Sequence, residues 1–293
     1  MSVLNKLIET QEFATLPPVA ARILKLLEND NIDVRDVSKV IEADASLTLK
    51  LLRVANSPLY ATRTEVNSIQ QAIITLGLNR LTNIVLGVSI FSRFLISSQK
   101  QAAEIMQKFW WHSSCTGMVA KSLTSKIKRH FKEAEFIGGL LHDIGKMTMI
   151  QFDAKKYKQV IELINQNDMM DIDAEKEVYG VDHQEVGEQI AKLWKLPDDL
   201  TTVIAGHTHP SNLSNYKELS AIVRFADILC ELWGASIFEG IKEVEMSKEE
   251  SWLLLCNSYP DLKSLDVEIF TFELEEDFKR SSTFLNLISH DSR

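Results

Sequence analysis

Residues 69–91 read IQQAIITLGLNRLTNIVLGVSIF. Ile69, Ala72, Ile73 and Leu76 recur at steps of three and four, which puts them on one face of a helix. Gly77 follows as a left-handed cap, and a second helix runs from about Asn79 through the apolar stretch Ile84–Phe91. That stretch is the greasiest in the chain, yet it is far shorter than the roughly 20 apolar residues a bilayer span requires. The same period holds upstream. Val19, Ile23, Leu26 and Leu27 share a face after Pro17-Pro18; Val34, Val37, Val40 and Ile41 do so behind a cap at Asp33. Leu47, Leu51 and Val54 follow Asp44, and that helix stops near Asn56-Ser57-Pro58, because a residue before proline is pushed out of the helical region. A helical period with links of a few residues predicts a compact bundle.

Composition agrees. The 293 residues hold only 11 Gly and 6 Pro, too few breakers for a many-stranded architecture. Further helices are expected near 133–143, 154–166, 182–195, 198–206 and 217–232, so the fold class is all-α. The polar run Ser97–Gln101 is the best boundary. It divides an amino-terminal helical subdomain (1–100) from a second one (101–240), and residues 241–293 form an extension of unassigned role. Within that extension 248–257 looks helical, and 265–280 shows no clean period. The net charge of −9 disfavours nucleic acid as a partner. The basic run Lys126–His130 lies close to Glu133 and Glu135 and reads as a solvated helix end. Cys115, Cys230 and Cys256 form no metal or disulfide spacing. The amino terminus has no secretion-signal core, so a cytoplasmic protein without membrane contact is expected.

The chemistry-bearing residues are histidines beside carboxylates. His142 precedes Asp143, His183 follows Asp182, and Asp227 sits inside the 217–232 helix. Imidazole with carboxylate suits iron, manganese, zinc or magnesium. A single histidine on an apolar helix face is commonly a hydrogen-bonded core residue. Adjacent His142 and Asp143 could share an ion only near a helix end, which Gly145 would supply. Lys146 lies three residues after Asp143, where an ammonium beside an ion could hold a phosphate.

The string LLHDIGK at 140–146 resembles the signature of the HD superfamily, all-helical metal-dependent phosphohydrolases. On that resemblance His112 matches the first ligand histidine, His142 and Asp143 the doublet, and Asp227, in FADIL, the distant aspartate. The likeness is closer to one branch, the HDOD domain or HD-related output domain. It is carried by Leu16-Pro17-Pro18, DASLTLKLLRVANSPLY at 44–60, AIITLGL at 72–78, DHQEVGEQIAKLWKLPDDL at 182–200 and GHTHP at 206–210. It covers roughly residues 12–230 and implies a helical amino-terminal bundle packed on an HD-like bundle, with a signalling or regulatory role in bacteria. His183 and His207 complete the metal-ligand candidates His112, His142, Asp143 and Asp227. GHTHP departs from the HD-GYP class of cyclic-di-GMP phosphodiesterases: Thr208 replaces the second histidine of the pair, His209 is displaced by one, and no D-G-x-G-Y-P stretch follows. Two roles follow from the resemblance. One is a regulatory module that binds a protein partner or a small ligand without turnover. The other is a phosphohydrolase on a nucleotide or phosphoester, with a divalent metal, with Asp143 orienting the attacking water and with Lys146 facing the phosphate.

Overall fold

The computed structural model describes residues 16–27, 33–56, 65–97 and 100–290, and no strand occurs among them. The all-α expectation holds. The amino-terminal bundle consists of α1 (Pro18–Leu27), α2 (Val34–Glu42), α3 (Ala45–Ala55), α4 (Ile69–Leu76) and α5 (Leu78–Ser97). Its starts are capped by short polar side chains. Asp33 accepts from the Arg35 amide, Asp44 from Leu47 and Ser68 from Gln71. The periodic apolar residues Ile23, Val37, Ile41, Leu51, Ile69 and Ile73 lie in the core. Gly77 ends α4 with φ 91° and ψ 151°. That is an extended conformation of positive φ open only to glycine, not the left-handed cap expected, and it lets α5 begin at once.

Asn56 closes α3 and does more than stop it. Its Nδ2 donates to the carbonyls of Leu52 and Val66 at 2.9 and 2.8 Å, and its Oδ1 accepts the Val66 amide at 2.8 Å. The side chain thus fastens both ends of the excursion between α3 and α4, whose Leu59 and Tyr60 lie outside the described residues.

The second half consists of α6 (Lys100–Lys126), α7 (Ala134–Leu141), α8 (Ile144–Phe152), α9 (Ala154–Asn167), α10 (Asp171–Tyr179), α11 (His183–Leu193), α12 (Asp198–Gly206) and α13 (Lys217–Leu232). Helix α6 packs against both α7 and α13, and α11 packs against α8 and α12. No helix among the described residues is long and apolar enough to cross a membrane.

The carboxy-terminal residues pack onto this half. Helix α14 (Glu250–Ser258) lies on α13, and α15 (Val267–His290) lies on α6. Trp252 stacks between Phe225 and Phe270, and Trp233 meets Phe278. Phe270, Leu274 and Phe278 are buried at helical spacing, whereas Ile269 and Phe272 on the same helix are exposed. Those two outward apolar residues blur the period of 265–280. The basic run at the end of α6 is used in this packing rather than simply solvated. Lys126 pairs with Glu273 and Asp277 of α15, while Arg129 pairs with Asp261 and lies over the Tyr259 ring.

Candidate metal centre

Close helix crossings bring the candidate residues together. His112 sits in the middle of α6, which passes α7 with Gly117 facing Gly139. A Cβ on Gly139 would lie 2.7 Å from the Gly117 backbone, so only glycine permits this approach. Helix α7 ends at Leu141; His142 is its C-cap, and Asp143 occupies the N-cap position of α8. The doublet therefore occupies a two-residue corner between helices. Gly145 does not end a helix, as the sequence suggested; it lies in the first turn of α8. A Cβ there would come within 1.8 Å of the His183 carbonyl oxygen, so glycine lets α8 press on the start of α11. His183 opens α11 behind a capping box of Asp182 and Glu185. His207 is the C-cap of α12, and Asp227 lies inside α13. His209 is exposed and faces Glu250 instead.

All six candidates, His112, His142, Asp143, His183, His207 and Asp227, meet in one buried place, none more than 1% exposed. Each histidine is fixed by its outer nitrogen. Nδ1–H of His112 donates to the Ala235 carbonyl at 2.6 Å, that of His142 to Gly139 at 2.7 Å, and that of His207 to Val203 at 3.2 Å. Nδ1–H of His183 donates to Glu175 at 2.7 Å; Glu175 also accepts the His183 amide and the Tyr157 hydroxyl. Holding Nδ1 in this way directs every Nε2 inward as a potential ligand.

The inner atoms crowd together. Nε2 of His112 lies 3.3 Å from that of His142 and 3.0 Å from Oδ1 of Asp227. His142 Nε2 stands 3.4 Å from Asp143 Oδ2 and 3.5 Å from Asp227 Oδ1. Asp143 Oδ1 faces Nε2 of His183 at 3.3 Å and of His207 at 3.7 Å. Asp143 Oδ1, His183 Nε2 and Asp227 Oδ1 are buried and lack a hydrogen-bond partner while the imidazoles are neutral; a proton on His112 Nε2 would bond Asp227 Oδ1. Orphaned buried polar atoms are costly. Here they belong to overlapping groups, Asp143–His183–His207 and His142–His207–Asp227, whose ligand atoms lie within 4.8 Å of one another. This donor set fits a divalent cation, with Asp143 and His142 placed to serve neighbouring positions.

Around it lies an ionic shell that the sequence did not reveal. Lys146 is fully buried, and its Nζ contacts Asp143 Oδ2 at 2.9 Å, Asp171 at 2.6 Å and Glu239 Oε1 at 3.1 Å. The ammonium meets carboxylates of the chain itself, whereas its spacing from Asp143 predicts a place beside a phosphate. Arg224 contacts Asp227 Oδ2 at 2.7 Å and Glu239 Oε2 at 2.9 Å. Six buried carboxylates (Asp143, Asp171, Glu175, Asp227, Glu231 and Glu239) thus share this interior with two permanent cations, Glu175 and Glu231 lying against His183 and His112 instead. An interior with that excess of negative charge retains protons or takes up metal. Burial disfavours the His112 cation, but Asp227, Glu231 and Glu239 outweigh it and raise the pKa to about 9. Burial likewise opposes the His183 cation, and Glu175 with Asp143 raises it to about 9. Burial pushes Asp171 up to about 6, and burial together with Glu239 pushes Glu231 up to about 7. Asp143 goes the other way: burial is overcome by Lys146 and the histidines, which hold its carboxyl well below the carboxylate range.

The HDOD domain model matches residues 13–210. The chain belongs to the HDOD family. The match includes His112, His142, Asp143, Lys146, His183 and His207, while Asp227, Arg224 and Glu239 lie beyond it. Among solved structures, an HDOD domain protein of unknown function from Geobacter sulfurreducens is 27% identical, with a TM-score of 0.72 over 90% of this chain and 92% of that one. A candidate phosphohydrolase from Shewanella amazonensis SB2B is 22% identical, with a TM-score of 0.68 over 97% of both chains. A candidate signal transduction protein from Marinobacter aquaeolei VT8 is 20% identical, with a TM-score of 0.67 over 95% of this chain and 60% of its own. At those identities the last two speak for the fold. An uncharacterised protein of Treponema pallidum (strain Nichols) is 25% identical over 215 residues, 73% of this chain; the HDOD chain spans about 41% of that relative's length.

Proposed function

We propose that this HDOD protein is a signalling or regulatory module whose HD-like half holds a divalent metal centre. One observation carries the reading: four histidines, each anchored through Nδ1, point Nε2 at unpartnered aspartate oxygens in a buried space. Such an array is expensive for a structural core, where one hydrogen-bond partner per histidine would suffice. His112, His142, Asp143 and Asp227 would hold one ion; His183 and His207 would extend the site on the far side of Asp143. The imidazole share favours iron, zinc or manganese over magnesium. Because these residues are sealed from solvent, the protein's output is read as association with a protein partner or a small phosphate-bearing ligand in the cytoplasm rather than turnover.

A second reading, phosphoester hydrolysis, has its own support in the complete ligand set and the free Asp143 Oδ1. An ion bound there supplies Lewis-acid polarisation of a phosphoryl oxygen. Asp143, held ionised, would accept a hydrogen bond from the attacking water and orient it.

Elemental analysis of protein purified without chelator tests the metal reading. At least one ion per chain is expected, and Asp143→Ala should lose it. Metal-free protein that gains no thermal stability from iron, manganese or zinc would sink the reading. A panel of phosphoesters then separates the two roles: the regulatory one predicts equal background rates for native protein and Asp143→Ala, and hydrolysis predicts a rate that Asp143→Ala abolishes.

A further inference from the structure

Glu239 lies on the irregular segment after α13, and its place in the ionic shell is unlike that of any other carboxylate there. Its two oxygens contact different cations, Oε1 Lys146 at 3.1 Å and Oε2 Arg224 at 2.9 Å. Each of those cations holds the outer oxygen of one metal-site aspartate: Lys146 holds Asp143 Oδ2, and Arg224 holds Asp227 Oδ2. Glu239 therefore links the two aspartates through a chain of ion pairs and leaves the Oδ1 atom of both facing inward. A Glu239 oxygen also lies within 4.8 Å of the ligand atoms of His112, His142 and Asp143.

The segment that carries it is fastened on the same side. Ala235 offers its carbonyl to His112 Nδ1, and the Ile237 amide donates to Glu231. The Asp171 amide donates to the Glu239 carbonyl at 3.3 Å. Gly240 takes φ 83°, and a Cβ there would lie 2.4 Å from the Met169 carbonyl oxygen, so the chain is pressed against the approach to α10. Ala235, Ile237 and Glu239 are all buried, and the whole segment lies beyond the residues that match the family model.

Resting on the metal reading above, we infer that Glu239 is a positioning residue of the metal centre, and that closure of the segment Gly234–Lys242 is coupled to occupancy of the site. Electrostatics gives the coupling its sign. A buried anion next to the donor set favours a bound cation. Without Glu239, Lys146 would be shared by Asp143 and Asp171 only and Arg224 would keep Asp227 alone, so both cations would compete more strongly with the ion for the metal-site aspartates. Both effects weaken metal binding, and by the reciprocity of linked equilibria a bound ion must then favour the closed segment.

The test compares wild type, Glu239→Gln, Glu239→Asp and the control Lys242→Ala, which breaks only the surface pair of the same segment with Asp168. Zinc and manganese affinities are measured by chelator competition, and amide hydrogen exchange of 234–242 is followed with and without ion. Urea unfolding confirms that each variant is folded. Glu239→Gln should bind metal about 10–100-fold more weakly, the range typical of groups that orient metal ligands. Glu239→Asp should recover part of that loss, and Lys242→Ala should match wild type. Ion should slow exchange across 234–242 in wild type but not in Glu239→Gln. A folded Glu239→Gln that binds metal as tightly as wild type, or more tightly, overturns the inference, as does ion-independent exchange of the segment in wild type. Wild type that takes up no ion would instead overturn the metal reading and this inference with it.

Discussion

His112 Nε2 and Asp227 Oδ1 stand 3.0 Å apart in a buried space, with His142 Nε2 3.5 Å from the same oxygen. Lone pairs so placed repel unless a proton or a cation lies between them, and the protein without metal has only protons to use. That gives a pH dependence of definite sign. His112 and His183, raised from 6.5 to about 9, bind their protons more tightly folded than unfolded. Asp171 and Glu231, raised to about 6 and about 7, do the same at lower pH. For all four groups the stabilisation is complete below the unfolded pKa and is lost as pH rises through the folded one. Chelated protein should therefore lose melting temperature progressively as pH rises, through Asp171 and Glu231 from about pH 4 and through His112 and His183 between about pH 6.5 and 9. Protein saturated with zinc or manganese should change less over that window, because the ion replaces the protons. Parallel melting curves with and without ion across the range would count against the site.

Helices α8 and α11 meet where Gly145 leaves no room for a side chain, and that contact sets His183 beside Asp143. Alanine in the first turn of α8 would gain up to about 1 kcal/mol of intrinsic helix propensity. Against that, its Cβ would fall 1.8 Å from a backbone oxygen that cannot swing aside. Overpacking of this kind costs typically about 1–3 kcal/mol and occasionally more, so Gly145→Ala should be destabilised by about 2 kcal/mol net in urea unfolding, and its metal affinity should fall as α11 is displaced. A neutral effect on both would mean that the two helices can slide freely. The example also shows what a sequence reveals. The helices themselves were legible because apolar residues repeat every three or four positions; among the ligand candidates, His142 with Asp143 and His183 behind Asp182 stood out by adjacency, whereas His112, His207 and Asp227 were singled out through the family resemblance. The function of Gly145 was not, since a glycine two residues after a corner and a glycine that ends a helix look alike until the neighbouring helix is seen. Glu175 and Glu239 escaped for a related reason: each acts on residues of other elements. Arg224 lies one turn from Asp227 on α13, but its second partner, Glu239, comes from beyond that helix, and no local motif surrounds it.

The carboxy-terminal helices bear on the whole half rather than hanging from it. Trp252 of α14 is buried, 5.3 Å from the Phe225 ring and 5.9 Å from that of Phe270. Phe225 is two residues from Asp227 on α13, and the segment bearing Glu239 connects α13 to α14. Removing the indole would open a cavity at the junction of α13, α14 and α15, and truncation of a buried tryptophan to alanine costs about 3–5 kcal/mol. If residues 241–290 share one core with the HD-like bundle, Trp252→Ala should shift a single unfolding transition by that amount, followed by both far-ultraviolet circular dichroism and tryptophan fluorescence. An appendage folded on its own would give a different result: an early transition in the fluorescence of Trp233, which packs on Phe278 of α15, with the bulk of the helical signal melting where it does in wild type. The first outcome also requires metal affinity to weaken with the tail, since the packing that supports Phe225 supports the helix that presents Asp227 and Arg224.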